Sequence, residues 1–152
     1  MTDLVSFVSS TPRFGLPNLF AGQMQKEFFV NEAHALADAL LHCAVAGEGA
    51  EPPAFPEPGE CWLIEADATG DWAGQEGKLA SWQAETWLFV SPVPGMIVRD
   101  LSTGGAIVFD GAWQRLAAPA EPSGGSTIDH EARAALANLI ETLQTAGLLP
   151  GN

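Results

Sequence analysis

The chain has 152 residues, with Lys+Arg 6 against Asp+Glu 19 and a formal net charge of −13 at pH 7. A surface this acidic repels phosphate backbones and anionic lipid headgroups, which excludes nucleic acid as an expected partner and speaks against membrane insertion. Apolar residues make up 47% and charged residues 16%, the reverse of a disordered composition, so a folded domain with a buried core is expected.

Residues 1 to 26 begin with Met1-Thr-Asp-Leu-Val, which has neither the basic start nor the hydrophobic stretch of a secretory signal. No apolar run in the chain reaches the roughly 20 residues of a membrane span. Production in the cytoplasm is therefore expected. Leu4 to Val8 fits a strand, and the prolines and glycine of Thr11-Pro-Arg-Phe-Gly-Leu-Pro-Asn18 forbid regular structure, predicting an extended arm that must lie on something. From Gln25 to about Ala46 the apolar positions Phe29, Ala33, Leu36, Ala37, Leu40, Leu41 and Ala44 keep helical spacing, with Gly47 as a stop.

Pro52, Pro53, Pro56 and Pro58 make residues 48 to 59 a stiff connection into a sheet. Strands are predicted over 60–66, 78–83, 86–90, 95–100, 106–109 and 112–116 as an antiparallel meander. Two hairpin units within it have the same plan. Leu79-Ala-Ser-Trp82 returns at Trp87, and Ala106-Ile-Val-Phe109 returns at Trp113, each across a few turn-forming residues. Residues 117–126 have the composition of a linker. The sequence Ser126-Thr-Ile-Asp129 then offers a capping box for a last helix, whose stripe Ala132, Ala135, Leu136, Leu139, Ile140 and Leu143 runs to Gly147 and Pro150. The expected architecture is α+β. An arm, helix and Trp-rich antiparallel sheet occupy 1–116, a linker 117–126 and a docking helix 127–152.

Thr11-Pro-Arg-Phe-Gly-Leu-Pro17, Gly22-Gln-Met-Gln-Lys26, Asn31-Glu-Ala33, Leu36 and Asp38, then Gly59-Glu-Cys-Trp-Leu-Ile64, Thr69-Gly-Asp-Trp-Ala-Gly74, Leu79-Ala-Ser-Trp82, Trp87 and Phe109-Asp-Gly-Ala-Trp113 together resemble a phage-type domain family of unassigned function. That family occurs in alphaproteobacterial prophages and gene transfer agents. The resemblance implies a virion component, assembled in the bacterial cytoplasm. Such a part would act as a spike or fibre base, or as an adaptor, between capsid or tail proteins and a host-binding fibre protein. It implies a homo-oligomer, pentameric or trimeric as vertices and fibres require. A carbohydrate-binding module recognising host surface polysaccharide is the alternative.

The candidate contact residues follow. Trp72, flanked by Asp71 and Gly74, is the expected surface aromatic, while Trp87 and Trp113 hold equivalent positions and should share one fate. Trp62 and Trp82 lie in alternating patterns and are expected in the core. Leu136, Leu139, Ile140 and Leu143 form the docking face of the last helix. Arg13, Gln23, Gln25, Lys26, Asn31 and Glu32, polar residues where an irregular arm meets a helix, are expected to fix the arm by bonding its backbone.

For catalysis the candidates are Glu27, Glu32, His34, Glu60 and Glu65. No nucleophile elbow, phosphate loop, dinucleotide fingerprint or zinc helix accompanies them, so no enzyme and no cofactor are expected. Asp67 to Gly77 lacks the ligand spacing of a calcium loop, and His34 and His42 lie too far apart to share a zinc, so no metal is expected. Cys43 and Cys61 have no short-range partner motif and are expected as free thiols.

Overall fold

The computed structural model describes residues 10–20, 26–120, 122–125 and 129–151; the expected strand at Leu4 to Val8 and the candidates Gln23 and Gln25 lie outside the described residues. The elements run α1 (Lys26–Leu40), β1 (Ala44–Val45), β2 (Glu48–Gly49), β3 (Cys61–Ile64), a 3₁₀ turn (Gly70–Trp72), β4 (Leu79–Gln83), β5 (Thr86–Val90), β6 (Ile97–Asp100), β7 (Ala106–Phe109), β8 (Trp113–Arg115) and α2 (His130–Thr145). The class is α+β. The strands divide into two four-stranded sheets, β2-β3-β4-β5 and β1-β6-β7-β8, and each carries one short parallel edge strand beside its antiparallel ladder.

The chain forms two compact units. One comprises residues 1–43 and 47–92, the other residues 44–46 and 93–152. The parallel edges explain why α1 is shorter than its apolar spacing predicted. His42 turns left-handed at φ 48°, which an α-helix of L-residues does not tolerate in its interior. Ala44 and Val45 then pair with Arg99 and Asp100 of β6 instead of continuing the helix. The start of the proline-rich connection is likewise a strand, with Glu48 and Gly49 opposite Leu63 and Ile64.

In the first unit, register sorts side chains by face. Trp62 lies opposite Ala80, which lies opposite Phe89, and Trp82 lies opposite Trp87; with the period of two along each strand, Ile64 joins these on one aromatic face. The other face carries Cys61, Leu63, Leu79, Ser81 and Gln83. The β4–β5 loop is a two-residue connection, Ala84-Glu85, with φ values of 48° and 61°. This is the left-handed pair that a tight hairpin demands and that Asn-Gly supplies more readily.

In the second unit β7 and β8 pair Phe109 with Trp113 across a loop containing Gly111 at φ 80°. The two sequence repeats are thus two hairpins on the same plan, each closed by a cross-strand aromatic pair, one in each unit.

Candidate functional site

Asp38 organises the first unit. It is fully buried, and its carboxylate accepts hydrogen bonds from Thr11 Oγ1 at 2.7 Å, Phe14 N at 2.7 Å, Arg13 N at 3.1 Å and Gln83 Nε2 at 3.4 Å. Burial raises its pKa, but the bonds from Thr11, Phe14, Arg13 and Gln83 outweigh that, and the carboxyl ends up more acidic than usual. Arg13 does not pair with this carboxylate through its guanidinium. It reaches the carbonyl oxygens at the end of α1 instead, those of Asp38, Ala39 and His42 at 2.7, 2.9 and 2.9 Å, satisfying acceptors that a helix end leaves open. The arm closes on itself between Thr11 and Leu16. It also lies against Gly59 (φ 84°), where a Cβ would stand 2.8 Å from Arg13 Cγ.

Of the residues expected to fix the arm, Arg13 does so, and Asn31 does so by exchanging two hydrogen bonds with the Leu19 backbone at 2.8 and 3.0 Å. Lys26 and Glu32 are exposed on α1. The hub Asp38 was not among the expected site residues. Its signal was an acidic residue at an otherwise apolar helical face, between Ala37 and Ala39.

The aromatic face corrects the expectation for Trp72. That indole is 0% exposed. The 3₁₀ turn drives it into the sheet, where it meets Trp62 at 6.1 Å and Trp87 edge-on at 5.1 Å, while Trp87 meets Trp82 at 5.0 Å. Asp71 and the flanking glycines made the segment look like an exposed tip, but a single 3₁₀ turn spreads its three residues around the axis, and this one turns the largest side chain inward. Trp62 and Trp82, expected in the core, are half-buried, as are Trp87 and Trp113. The last two share one fate, each stacked on its cross-strand partner.

The second unit is organised by Asp100, also fully buried. It accepts from Ser102 N at 2.9 Å, Ser102 Oγ at 2.6 Å, Thr103 Oγ1 at 2.9 Å and Arg115 Nη1 at 2.7 Å. Burial again opposes ionisation, and the donors from Ser102, Arg115 and Thr103 overcome it, bringing the pKa down to about 2.

Helix α2 is capped by Asp129, whose side chain accepts from Ala132 N at 2.9 Å; the cap is therefore Asp129, and Ser126, the expected first residue of the box, lies outside the described residues. At the other end Gly147 N bonds Gln144 O and Leu148 N bonds Leu143 O, the double closure of a Schellman motif around a left-handed glycine. The residues beyond fasten this end to the sheet. Arg99 occupies the space over Gly147, Pro150 packs on Gly105, and Gly151 N bonds Thr103 O at 2.9 Å.

None of the described residues of α2 is buried. The docking face expected from sequence is present on one stripe, with Leu136 at 47% and Leu139 at 53% exposure, and Ile140 and Leu143 half-buried beside them. Other large apolar side chains are also exposed, among them Phe29, Leu40, Leu41 and Phe55 in the first unit and Ile97, Leu101 and Leu116 in the second.

Among the described residues no group of three or more His, Cys, Asp or Glu is placed to hold a metal ion. No described helix is long and apolar enough to cross a membrane. Of the catalytic candidates, Glu60 has its carboxylate occupied by Trp62 Nε1 and Glu57 N at 2.8 and 2.7 Å, and Glu65 is exposed. Cys43 and Cys61 are both free thiols, Cys43 half-buried and Cys61 buried, and the Cys61 thiol is pushed up by the neighbouring Cys43 and by burial.

No curated protein sequence matches the chain. The profile of a family described as a protein of unknown function, DUF2793, matches residues 30–114, from within α1 into β8, and leaves the arm and α2 outside; because the match covers more than half of its length, the chain belongs to that family.

Proposed function

We propose that this protein is a non-enzymatic structural part of a phage-like particle, a base or adaptor that joins capsid or tail proteins to a host-binding fibre protein and works as a homo-oligomer. The observation that carries the reading is the apolar surface of α2. The helix is held firmly at its carboxy-terminal end and presents Leu136 and Leu139 outward, although a monomer gains nothing by ordering a leucine stripe that it does not cover. Exposed leucines on a rigid mount are what a subunit contact requires. The phage and gene transfer agent setting comes from the sequence resemblance of residues 11 to 116.

Helix α2 carries Glu131, Arg133 and Glu141 as its formally charged residues, so its charges nearly balance and copies can meet there with modest repulsion. Light scattering on the purified chain, followed by imaging of particles that lack it, tests the proposal. A discrete oligomer and particles missing their spikes or fibres support it; a monomer at all concentrations, or spikes intact without the protein, overturns it.

The second reading, a carbohydrate-binding module, has lost Trp72 to the core. It rests on Trp62, Trp82 and Trp87, half-exposed on one sheet face, where indoles can stack on sugar rings. A tryptophan fluorescence change with host polysaccharide would favour it over the adaptor.

A further inference from the structure

Helix α1 turns its polar side inward. Asn31 and Asp38, seven residues apart and therefore on one face, meet the arm, where Asn31 bonds the Leu19 backbone and Asp38 collects Thr11, Arg13 and Phe14. His34 lies between them on that face and is half-buried. The opposite side carries Phe29, Ala33, Leu36 and Leu40 at intervals of four, three and four residues. Phe29 is 71% and Leu40 38% exposed, Ala33 is exposed and Leu36 is half-buried. An amphipathic helix ordinarily buries such a row.

Helix α2 repeats the pattern. Ala132, Leu136, Leu139 and Leu143 follow the same intervals of four, three and four, the first three exposed and Leu143 half-buried. Laid antiparallel, the two rows match in size: Phe29 meets Leu143, Ala33 meets Leu139, Leu36 meets Leu136 and Leu40 meets Ala132, so each alanine receives a leucine. The ends match in charge. Each helix has an acid in its first turn and no basic residue in its last. In this alignment Lys26 comes beside the carboxy-terminal end of α2, and Glu131 comes beside the end of α1, where three carbonyl oxygens hold the Arg13 guanidinium. Antiparallel helices also oppose their dipoles.

We propose that the α1 row of one copy receives, antiparallel, the α2 row of a second copy. The inference rests on the homo-oligomeric reading above and adds the surface that receives α2. Both rows are exposed in the chain, and a second copy brings the matching row for each. Because the two surfaces are unlike, the contact passes from copy to copy, and it ends in a ring when the rotation closes.

Two variants of the full chain, read by light scattering, provide the test. Ala33→Glu with Leu40→Glu blocks the receiving row, and Leu136→Glu with Leu139→Glu blocks the inserting row. Each variant alone should stay monomeric at concentrations where wild type associates. An equimolar mixture should recover a two-chain species, because one intact row of each kind survives in it. Association of either variant alone, or a mixture that stays monomeric, overturns the inference and leaves the oligomeric reading standing; a wild type that is monomeric at every concentration removes both.

Far-ultraviolet circular dichroism of each variant should match wild type, since the substituted positions on both helices are exposed. Should either variant fold poorly, hydrogen exchange of the wild-type chain decides. As concentration rises into the associated range, the amides of Lys26–Leu40 and of His130–Thr145 should both exchange more slowly, by roughly tenfold or more. Added protection confined to one of the two helices overturns the inference.

Discussion

Thr11 Oγ1 donates to Asp38 Oδ1 at 2.7 Å while accepting from Leu16 N at 2.9 Å, so one hydroxyl both closes the arm's loop and joins it to α1. The bond spans 27 residues of sequence, and the described part of the arm is seated on the first unit through it and through Arg13. Asp100 plays the matching part in the second unit, with Arg115 at 2.7 Å. Each unit is therefore built around a buried carboxylate that receives donors from neighbouring loops.

Thr11→Ala is expected to cost about 2 kcal/mol, the scale for a hydrogen bond to a charged group, and Asp38→Ala about 3 kcal/mol or more because several donors lose their acceptor at once. Urea unfolding of the first unit measures both. Limited proteolysis should show new cleavage after Arg13 in each variant and no change near α2.

Stability should fall on acidification in a defined window. Asp38 and Asp100 are both more acidic in the fold than in the unfolded chain, whose carboxyl value is near 3.8; their contribution is fully present above that value and is lost as pH falls through the folded pKa, about 2 for Asp100. Thermal melts from pH 6 down to pH 2 (roughly the carboxylate titration range) check the slope. Asp100→Asn should flatten it, at the expense of lower stability at neutral pH.

Trp72→Ala should be among the most damaging single changes in the first unit, about 4 kcal/mol, since it empties the middle of the aromatic face. Trp72→Phe should retain much of that stability. The near-ultraviolet circular dichroism of the Trp72–Trp87 pair should vanish in both, while a substitution at Trp113, in the other unit, leaves that signal largely in place.

Replacing Ala84-Glu85 by Asn-Gly should stabilise the chain by about 1 kcal/mol, because both positions already hold positive φ and Asn-Gly adopts it at less cost. A rise in the urea midpoint with an unchanged slope is the expected outcome. Loss of stability would mean that the β4–β5 loop makes contacts that outweigh its backbone strain.

Leu136→Glu together with Leu139→Glu should leave the unfolding free energy of the isolated chain within about 0.5 kcal/mol, as for exposed surface positions. The same variant should abolish self-association in light scattering. A large loss of stability without a change in mass would show that the stripe serves the chain's own fold.

The strands were legible in the sequence because alternation has a short period and Gly-, Pro- and Asp-containing turns punctuate it. The predicted strand 106–109 is observed as Ala106–Phe109 and 86–90 as Thr86–Val90. The repeat of two aromatic-closed hairpins and the apolar stripe of α2 were equally local signals. The end of α1 was not legible, since Ala44 and Val45 suit a helix or a strand and only pairing with Arg99 and Asp100 chose the strand. Nor was the site's centre, because nothing in one sequence says that Thr11, Arg13 and Gln83 will converge on Asp38.

What the order of residues determined by itself is the class of the protein, its acidic and weakly charged surface, its hairpins and its two helices, all of which depend on periodicity and on backbone preferences within a few residues. Tertiary structure alone decided which indole is buried, which carboxylates collect the donors, and that α2 is pinned at one end with its leucines outward. Those facts depend on groups far apart in the chain excluding water from each other. Local preference carries no record of such meetings.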